Sequence, residues 1–192
     1  AKWKLIDTKM NKELSINRHV KTGFEFRGYQ RTIISNGVDM IKPKRFLYLA
    51  MEVRTGKTLT SLGIAQELKV ENVLFLTKKK ANYESIHKLP KTKWDLVVCD
   101  EAHSMGAFPK PSRRSKQVKE LIAKDRPYVI LMSGTPTPES FSQMYHQVYG
   151  IPSNPFKSYK NFYRFCDDYV NVTERKINGM NIRDYSKGKQ SI

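Results

Sequence analysis

The chain has 192 residues, 39% of them hydrophobic, so it is long enough to build one α/β domain around its own core. Cys99 and Cys166 form no close pair or Cys/His cluster, which argues against a disulfide-stapled secreted fold and a zinc site. No apolar run approaches the roughly 18 residues that cross a bilayer. This cysteine usage leads us to expect a reducing, cytoplasmic setting. Because 35 Lys and Arg against 18 Asp and Glu give a net charge of +17, we also expect a polyanionic partner.

Short apolar runs alternate with stretches of helical spacing along the first 150 residues. Continuous apolar strands joined by crossovers form parallel sheets that are covered on both faces. We therefore predict a three-layer α/β fold with a central, mostly parallel sheet and helices on both faces. The predicted elements are a helix over 31–41 that ends before Pro43, a strand over 46–51, a helix over 59–68, strands over 73–77 and 96–99, a helix over 115–123 and a strand over 128–132.

A Gly-Lys-Thr turn follows the first of these strands and opens a helix. Residues 51–58 match the phosphate-binding pattern GxxxxGK[ST], except that Met51 replaces its first glycine. In such a loop the helix N-terminus and the Lys57 ammonium bind phosphate oxygens, and the Thr58 hydroxyl ligates magnesium. Gly56, Lys57 and Thr58 are therefore predicted to bind the phosphates and metal of a nucleotide.

Two carboxylates follow a second apolar strand. Leu96 to Cys99 run into Asp100-Glu101-Ala102-His103, at the strand end where open α/β sheets bind ligands. There Asp100 would hold magnesium and Glu101 would act as general base on the attacking water. A solvated turn explains an isolated Asp-Glu pair, but the upstream Gly-Lys-Thr turn favours a catalytic site.

A third polar turn, Ser133-Gly134-Thr135-Pro136, follows the strand 128–132. Its hydroxyls can hydrogen-bond the acidic loop and report the state of the γ-phosphate. They can also cap a helix over 139–149, and both roles are compatible.

Together these three turns resemble motifs I, II and III of superfamily-two helicases and translocases. Phe26-Arg27-Gly28-Tyr29-Gln30 is similar to the glutamine-bearing element of the Swi/Snf-like branch, and the strand before Asp100 also resembles that branch. The resemblance spans roughly residues 24–150. It implies the first of two RecA-like lobes of the P-loop NTPase fold, with ATP and Mg²⁺ as cofactors and double-stranded DNA as partner.

The resemblance also assigns roles to residues at the nucleotide site. It implies that Lys57, Asp100 and Glu101 form the catalytic group, with magnesium held by Thr58 and Asp100. It also implies that Gln30 recognises adenine and that Gly56 and Lys57 contact the phosphates.

The resemblance assigns the coupling of ATP to DNA, and contact with nucleic acid, to a second group of residues. The resemblance implies that His103, at the nucleotide site, couples ATP to DNA together with Ser133 and Thr135. Thr77 and Lys78 occupy the motif Ia position that contacts the nucleic-acid backbone. The run Lys78, Lys79, Lys80 suits phosphate contact, although a solvated loop explains it equally well.

The domain boundaries follow from the extent of the resemblance and from the loss of strand and helix alternation after residue 151. We expect an N-terminal extension over 1–23, the ATP-binding lobe over 24–151, and over 152–192 an appendage or the start of a linker to the second lobe. That lobe supplies the arginine fingers of the family, so this chain alone is expected to be nearly inactive. The family pattern has a segment that this sequence lacks between Ala81 and Asn82.

Aromatic and basic residues mix in the C-terminal stretch 156–169. This pattern is typical of a helix's buried face, and it also suits nucleic-acid binding.

The function that fits best is an ATPase that translocates on or remodels duplex DNA. A strand-separating helicase would share the same ATP site. A nucleic-acid-binding module with a decayed nucleotide site is the third hypothesis, because Met51, Val53 and Arg54 stand where the family prefers small residues or glycine.

Overall fold

The computed structural model describes residues 2–7, 12–16, 25–77 and 92–189. Lys78, Lys79, Lys80 and the junction between Ala81 and Asn82 lie outside these ranges. The strands are β1 (Lys2–Asp7), β2 (Lys12–Ile16), β3 (Phe46–Ala50), β4 (Asn72–Leu76), β5 (Leu96–Cys99), β6 (Tyr128–Ser133), β7 (Val170–Ile177) and β8 (Met180–Gly188). The helices are α1 (Gly28–Lys44), α2 (Lys57–Glu67), α3 (Arg113–Asp125), α4 (Gln143–Val148) and α5 (Phe162–Tyr169), with a 3-10 helix at Ala102–Met105.

Within the described ranges, six strands form one sheet in the order β2-β1-β4-β5-β6-β3. The neighbours β1 and β4, β4 and β5, β5 and β6, and β6 and β3 are parallel, and only β2 runs antiparallel, against β1. The predicted mostly parallel sheet is therefore confirmed. Strands β1 and β2 lie within the segment 1–23 and extend the sheet beyond β4.

Side chains that alternate along the central strands separate two hydrophobic clusters. Leu96 and Val98 of β5 face a cluster with α1 and α2, whereas Val97 and Cys99 face a cluster with α3, α4 and α5. Strands buried on both faces require apolar residues at every position, which explains the continuous run Leu96–Cys99. The result is the predicted three-layer arrangement with helices on both faces of the sheet.

Two predicted helix boundaries are wrong. Helix α1 continues through Pro43 to Lys44 and ends at the left-handed Arg45, whose amide donates to the Ile41 carbonyl. Proline removes one amide donor from this last turn, and the helix ends two residues after it. Helix α4 begins at Gln143, not at residue 139. The hydroxyls of Ser140 and Ser142 donate to the carbonyl of Tyr185 instead, at 3.3 and 2.5 Å, and this holds the preceding turn outside the helix.

The C-terminal stretch forms α5 and a separate two-stranded hairpin, β7–β8. The rings of Phe156, Phe162 and Phe165 are buried in the same cluster as α3 and α4, so most of the aromatic pattern is a buried face, as one of the two interpretations expected. Tyr163 is the exception, with 49% of its surface exposed.

Candidate active site

The Gly-Lys-Thr turn connects β3 to α2 at the carboxyl edge of the sheet. Gly56 has a left-handed φ of 81° and precedes the first turn of α2, which contains no acidic residue and has no side-chain cap. The first amides of α2 therefore remain available to an anion, and the helix dipole favours one there. Lys57 Nζ donates to the carbonyls of Met51 and Glu52 at 3.2 and 3.1 Å, so the ammonium lies over the loop.

Helix α1 supports this loop from outside. Gln30 is 3% exposed, and its Oε1 accepts a hydrogen bond from the Arg27 amide at 3.0 Å. A Cβ placed on Gly56 would lie 2.5 Å from Gln30 Nε2, so the carboxamide packs directly against the glycine. Tyr29 donates its hydroxyl to the Thr55 carbonyl at 2.9 Å. Sequence reasoning did not single out Tyr29, although it adjoins Gln30 in the same motif.

The acidic pair lies at the carboxyl end of β5, two strands away from β3. The Glu101 amide donates to Asp100 Oδ1 at 3.1 Å. Burial raises the pKa of Asp100, and the nearby Lys57 and His103 partly oppose that rise, so Lys57 and Asp100 interact electrostatically. Glu101 has a left-handed φ of 51°, a conformation that costs a non-glycine residue about 1–3 kcal/mol and is concentrated at functional sites.

His103 connects the acidic turn to the turn after β6. Its Nδ1 lies 3.1 Å from the Ser133 hydroxyl and 3.2 Å from Glu101 Oε2. Ser133 Oγ also accepts from the Thr135 amide at 3.1 Å. Because α4 begins only at Gln143, Ser133 and Thr135 do not cap that helix, and the Ser133 hydroxyl faces the acidic loop instead.

The third turn also approaches the first. A Cβ on Gly134 would lie 3.4 Å from Lys57 Nζ and 3.1 Å from Val53 Cγ2. The turns after β3, β5 and β6 therefore converge at one edge of the sheet, and they bring Lys57, Asp100, Glu101, His103 and Ser133 together. Thr58, at the start of α2, is exposed at the same edge. Thr77 lies just after β4, on the other side of β5, and the predicted lysine contacts that follow it are outside the described residues.

Two residues that link the turns carried no sequence signal. Tyr48 on β3 donates its hydroxyl to Gln147 Oε1 on α4 at 2.7 Å. Gln147 Nε2 donates to the Pro136 carbonyl at 2.7 Å. A glutamine inside a helix has no characteristic spacing, so only the fold reveals that it ties α4 to both β3 and the turn after β6.

Part of the chain matches the model of a known protein family. Residues 66–182 match the family model of the SNF2-related domain. That range is more than half of the chain and contains the turns after β5 and β6, while the Gly-Lys-Thr turn lies before it. The chain belongs to the SNF2-related family. The expected Swi/Snf-like branch of superfamily two is thereby confirmed.

The SNF2-related chain is similar to the RNA polymerase-associated protein RapA of several bacteria. It is 27% identical over 118 residues to RapA of Vibrio cholerae serotype O1 (strain M66-2), which covers 60% of this chain and 12% of RapA. It is 31% identical over 99 residues to RapA of Serratia proteamaculans (strain 568), which covers 50% of this chain and 10% of RapA. The chain thus spans only a small part of these curated relatives.

Solved structures show the same fold. The Sulfolobus solfataricus SWI2/SNF2 ATPase core in complex with dsDNA matches with a TM-score of 0.59 and 18% identity over 76% of this chain and 39% of that chain. The Sulfolobus solfataricus SWI2/SNF2 ATPase core domain matches with a TM-score of 0.53 and 16% identity over 76% of this chain and 38% of that chain. The SNF2-related chain therefore has the RecA-like fold predicted from its sequence. None of the helices in the described ranges combines the length and apolar character needed to span a bilayer.

Proposed function

We propose that this chain is the ATP-binding lobe of a DNA-dependent ATPase that translocates on or remodels duplex DNA. The observation that carries the proposal is the convergence of Lys57, Asp100, Glu101 and His103 at one edge of the parallel sheet. Membership of the SNF2-related family, and the likeness to an ATPase core solved with dsDNA, support ATP as the nucleotide and a duplex as the partner.

The residues at this edge fit magnesium-bound ATP. The uncapped N-terminus of α2 and the Lys57 ammonium suit the β- and γ-phosphates, and Gln30 stands beside Gly56 where it can read the adenine edge. Thr58 and Asp100 offer the hydroxyl and carboxylate oxygens that magnesium prefers. Bound magnesium would offset the charge of the phosphates.

Three side chains of this lobe act on the attacking water and on the phosphates. Glu101 takes the proton of the attacking water as general base. His103 positions that carboxylate through Nδ1 and shares the contact with Ser133, so movement of the turn after β6 reaches the general base. Lys57 withdraws charge from the phosphates. A second lobe, with arginine fingers, would complete the site, so we propose that residues 152–192 lead from this lobe towards it.

The test uses the complete protein. We expect blunt duplex DNA to stimulate ATP hydrolysis and a forked duplex to remain unseparated. Separation of the forked strands would instead favour a helicase. Absence of both hydrolysis and nucleotide binding would favour a nucleic-acid-binding module. That hypothesis is motivated by Met51, which replaces the first glycine of the phosphate-binding pattern.

The net charge of +17 gives the proposed DNA contact a separate test. Each phosphate that a lysine or arginine neutralises releases counterions, so affinity should fall steeply between about 50 and 200 mM salt. A flat dependence would remove phosphate contact as the source of the affinity.

A further inference from the structure

A cavity of about 470 Å³ lies outside the candidate active site, where α3, α4 and α5 meet. Its lining includes two prolines, four lysines and five aromatic side chains, which are Tyr145, His146, Tyr149, Phe162 and Tyr163. Tyr145 and Tyr149 stack with ring centroids 4.8 Å apart, and His146 stacks on Phe162 at 5.5 Å. Tyr149 and Tyr163 are 36% and 49% exposed, so their rings can accept a planar ring as an additional layer.

One wall of the cavity holds a polar group without a partner. Tyr145 is 1% exposed, and its hydroxyl has no hydrogen-bond partner in the described part of the chain. The Tyr149 hydroxyl lies close to it and donates to the Lys160 carbonyl at 3.5 Å. The Tyr145 hydroxyl has almost no accessible surface, so it belongs to the packed wall and is not a contact point for a ligand.

The rim of the cavity is cationic. Lys110, Lys116 and Lys160 line it, are exposed, and have no ion-pair partner among the residues that the structure describes. Lys119 has a different role, because its ammonium donates to the carbonyls of His146 and Tyr149 at the end of α4. Burial lowers the pKa of Lys119 to about 7. Three lysines are therefore free to meet an anion beside the aromatic walls.

We propose that this cavity binds an unpaired nucleotide, with its base stacked on the exposed ring of Tyr149 or Tyr163 and its phosphate at the lysine rim. Stacking platforms next to cations are the usual means by which proteins hold unpaired bases without sequence preference. The choice of a nucleic-acid strand as the source of that nucleotide rests on the proposed function.

The cavity is mechanically connected to the candidate active site. His146 lines the cavity, and its neighbour Gln147 bonds both Tyr48 and the Pro136 carbonyl. Helix α4 also packs tightly on the acidic turn, since a Cβ on Gly106 would lie 2.6 Å from the Gln143 carbonyl oxygen. An occupant that shifts α4 would therefore move the turns that hold Ser133 and His103.

The experiment uses the complete protein without ATP and oligo(dT) of about 16 nucleotides in which single thymines are replaced by 5-iodouracil. Irradiation links the iodinated base to a stacked aromatic side chain, and mass spectrometry locates the adduct. We expect adducts on Tyr149 or Tyr163. We also expect Tyr163→Ala to weaken oligo(dT) binding about tenfold, the loss typical of one stacked base.

Arg164→Ala is the matched control, because Arg164 neighbours Tyr163 on α5, is exposed, and does not line the cavity. This variant should bind oligo(dT) like the unaltered protein. Tyr163 is about half exposed, so its replacement should leave the fold intact, which circular dichroism verifies.

The outcomes separate this inference from the proposed function. Adducts confined to other sites, or equal affinity of Tyr163→Ala and Arg164→Ala, would overturn the inference while duplex-stimulated ATP hydrolysis still supports the motor. Absence of any nucleic-acid binding by the unaltered protein would contradict both the inference and the proposed function. Displacement of the oligonucleotide by dTMP supports the site with free nucleotides as its source, whereas resistance to dTMP supports a strand.

Discussion

The Nδ1 atom of His103 lies 3.1 Å from the hydroxyl oxygen of Ser133, and this contact joins the ends of β5 and β6. The same nitrogen lies 3.2 Å from Glu101 Oε2, so one imidazole connects the proposed general base to the turn after β6. Neighbouring parallel strands deliver their following turns to one edge, which is why residues far apart in sequence meet here.

Replacing Ser133 with alanine should separate nucleotide binding from its coupling to DNA. The variant removes one of the two partners of His103 Nδ1 and keeps Glu101, and it leaves Lys57 and the N-terminus of α2 unchanged. We expect ATP affinity within about twofold of the unaltered protein and DNA-stimulated hydrolysis lowered about tenfold or more, as when a buried hydrogen bond near a reacting group is lost. Ser158→Ala, at an exposed serine distant in sequence, is the control, and equal rates for the two variants would contradict the coupling role.

Glu101→Gln should abolish turnover without abolishing binding. The amide keeps the shape of the side chain but cannot take a proton from water, so hydrolysis in the complete protein should fall by about 10² to 10⁴. ATP binding, measured by calorimetry, should persist. Glu120→Gln, on the exposed side of α3, should behave like the unaltered protein. Loss of binding with turnover retained would exclude Glu101 as the general base.

Asp100→Asn should stabilise the nucleotide-free protein and impair its use of magnesium. Burial raises the pKa of this carboxyl, which means that the folded state disfavours its charge at neutral pH. Removing the charge should therefore raise the melting temperature without nucleotide, a trade between stability and activity that is common at functional sites. The melting temperature should no longer rise on addition of Mg²⁺ and ATP together. A lower melting temperature without nucleotide would contradict the stated cost of the charge.

Acid should destabilise the protein partly through His146. Burial lowers the pKa of this imidazole from 6.5, helped by the Lys119 ammonium and opposed by the hydrogen bond between Nε2 and the Pro109 carbonyl. Between the lowered folded pKa and about 6.5, the imidazole is protonated in the unfolded chain but not in the folded protein. The free energy of unfolding therefore decreases as the pH falls from about 6.5 through the folded pKa. Thermal melts between pH 7 and pH 5 should show a smaller decline for His146→Gln than for the unaltered protein. Parallel declines would show that His146 does not contribute.

The central strands and the three turns could be predicted from the sequence because their signals are local. An apolar run such as Leu96–Cys99 has few alternatives to a buried strand, and polar residues that follow such strands gather at one edge. The start of α4 could not be predicted, because it depends on hydrogen bonds from Ser140 and Ser142 to Tyr185, more than 40 residues away. Local capping preferences carry no information about such a partner.

The contacts of Gln147 could not be predicted from the sequence for the same reason. Its two partners, Tyr48 and Pro136, come from β3 and from the turn after β6, and neither contact leaves a periodic pattern. The aromatic residues from 156 to 169 were open to two interpretations in the sequence. The structure shows that Phe156, Phe162 and Phe165 are buried and that Tyr159 and Tyr169 are partly buried, while Tyr163 remains exposed at the wall of a cavity.

The most direct test of the proposed site is calorimetric titration of the complete protein and its Lys57→Ala variant with magnesium-bound ATP. If Lys57 and the pair Asp100 and Glu101 hold one metal and triphosphate, the unaltered protein should bind a single nucleotide, and the variant should bind at least about tenfold more weakly. Equal affinities, or no binding by either protein, would contradict a shared nucleotide site at this edge of the sheet.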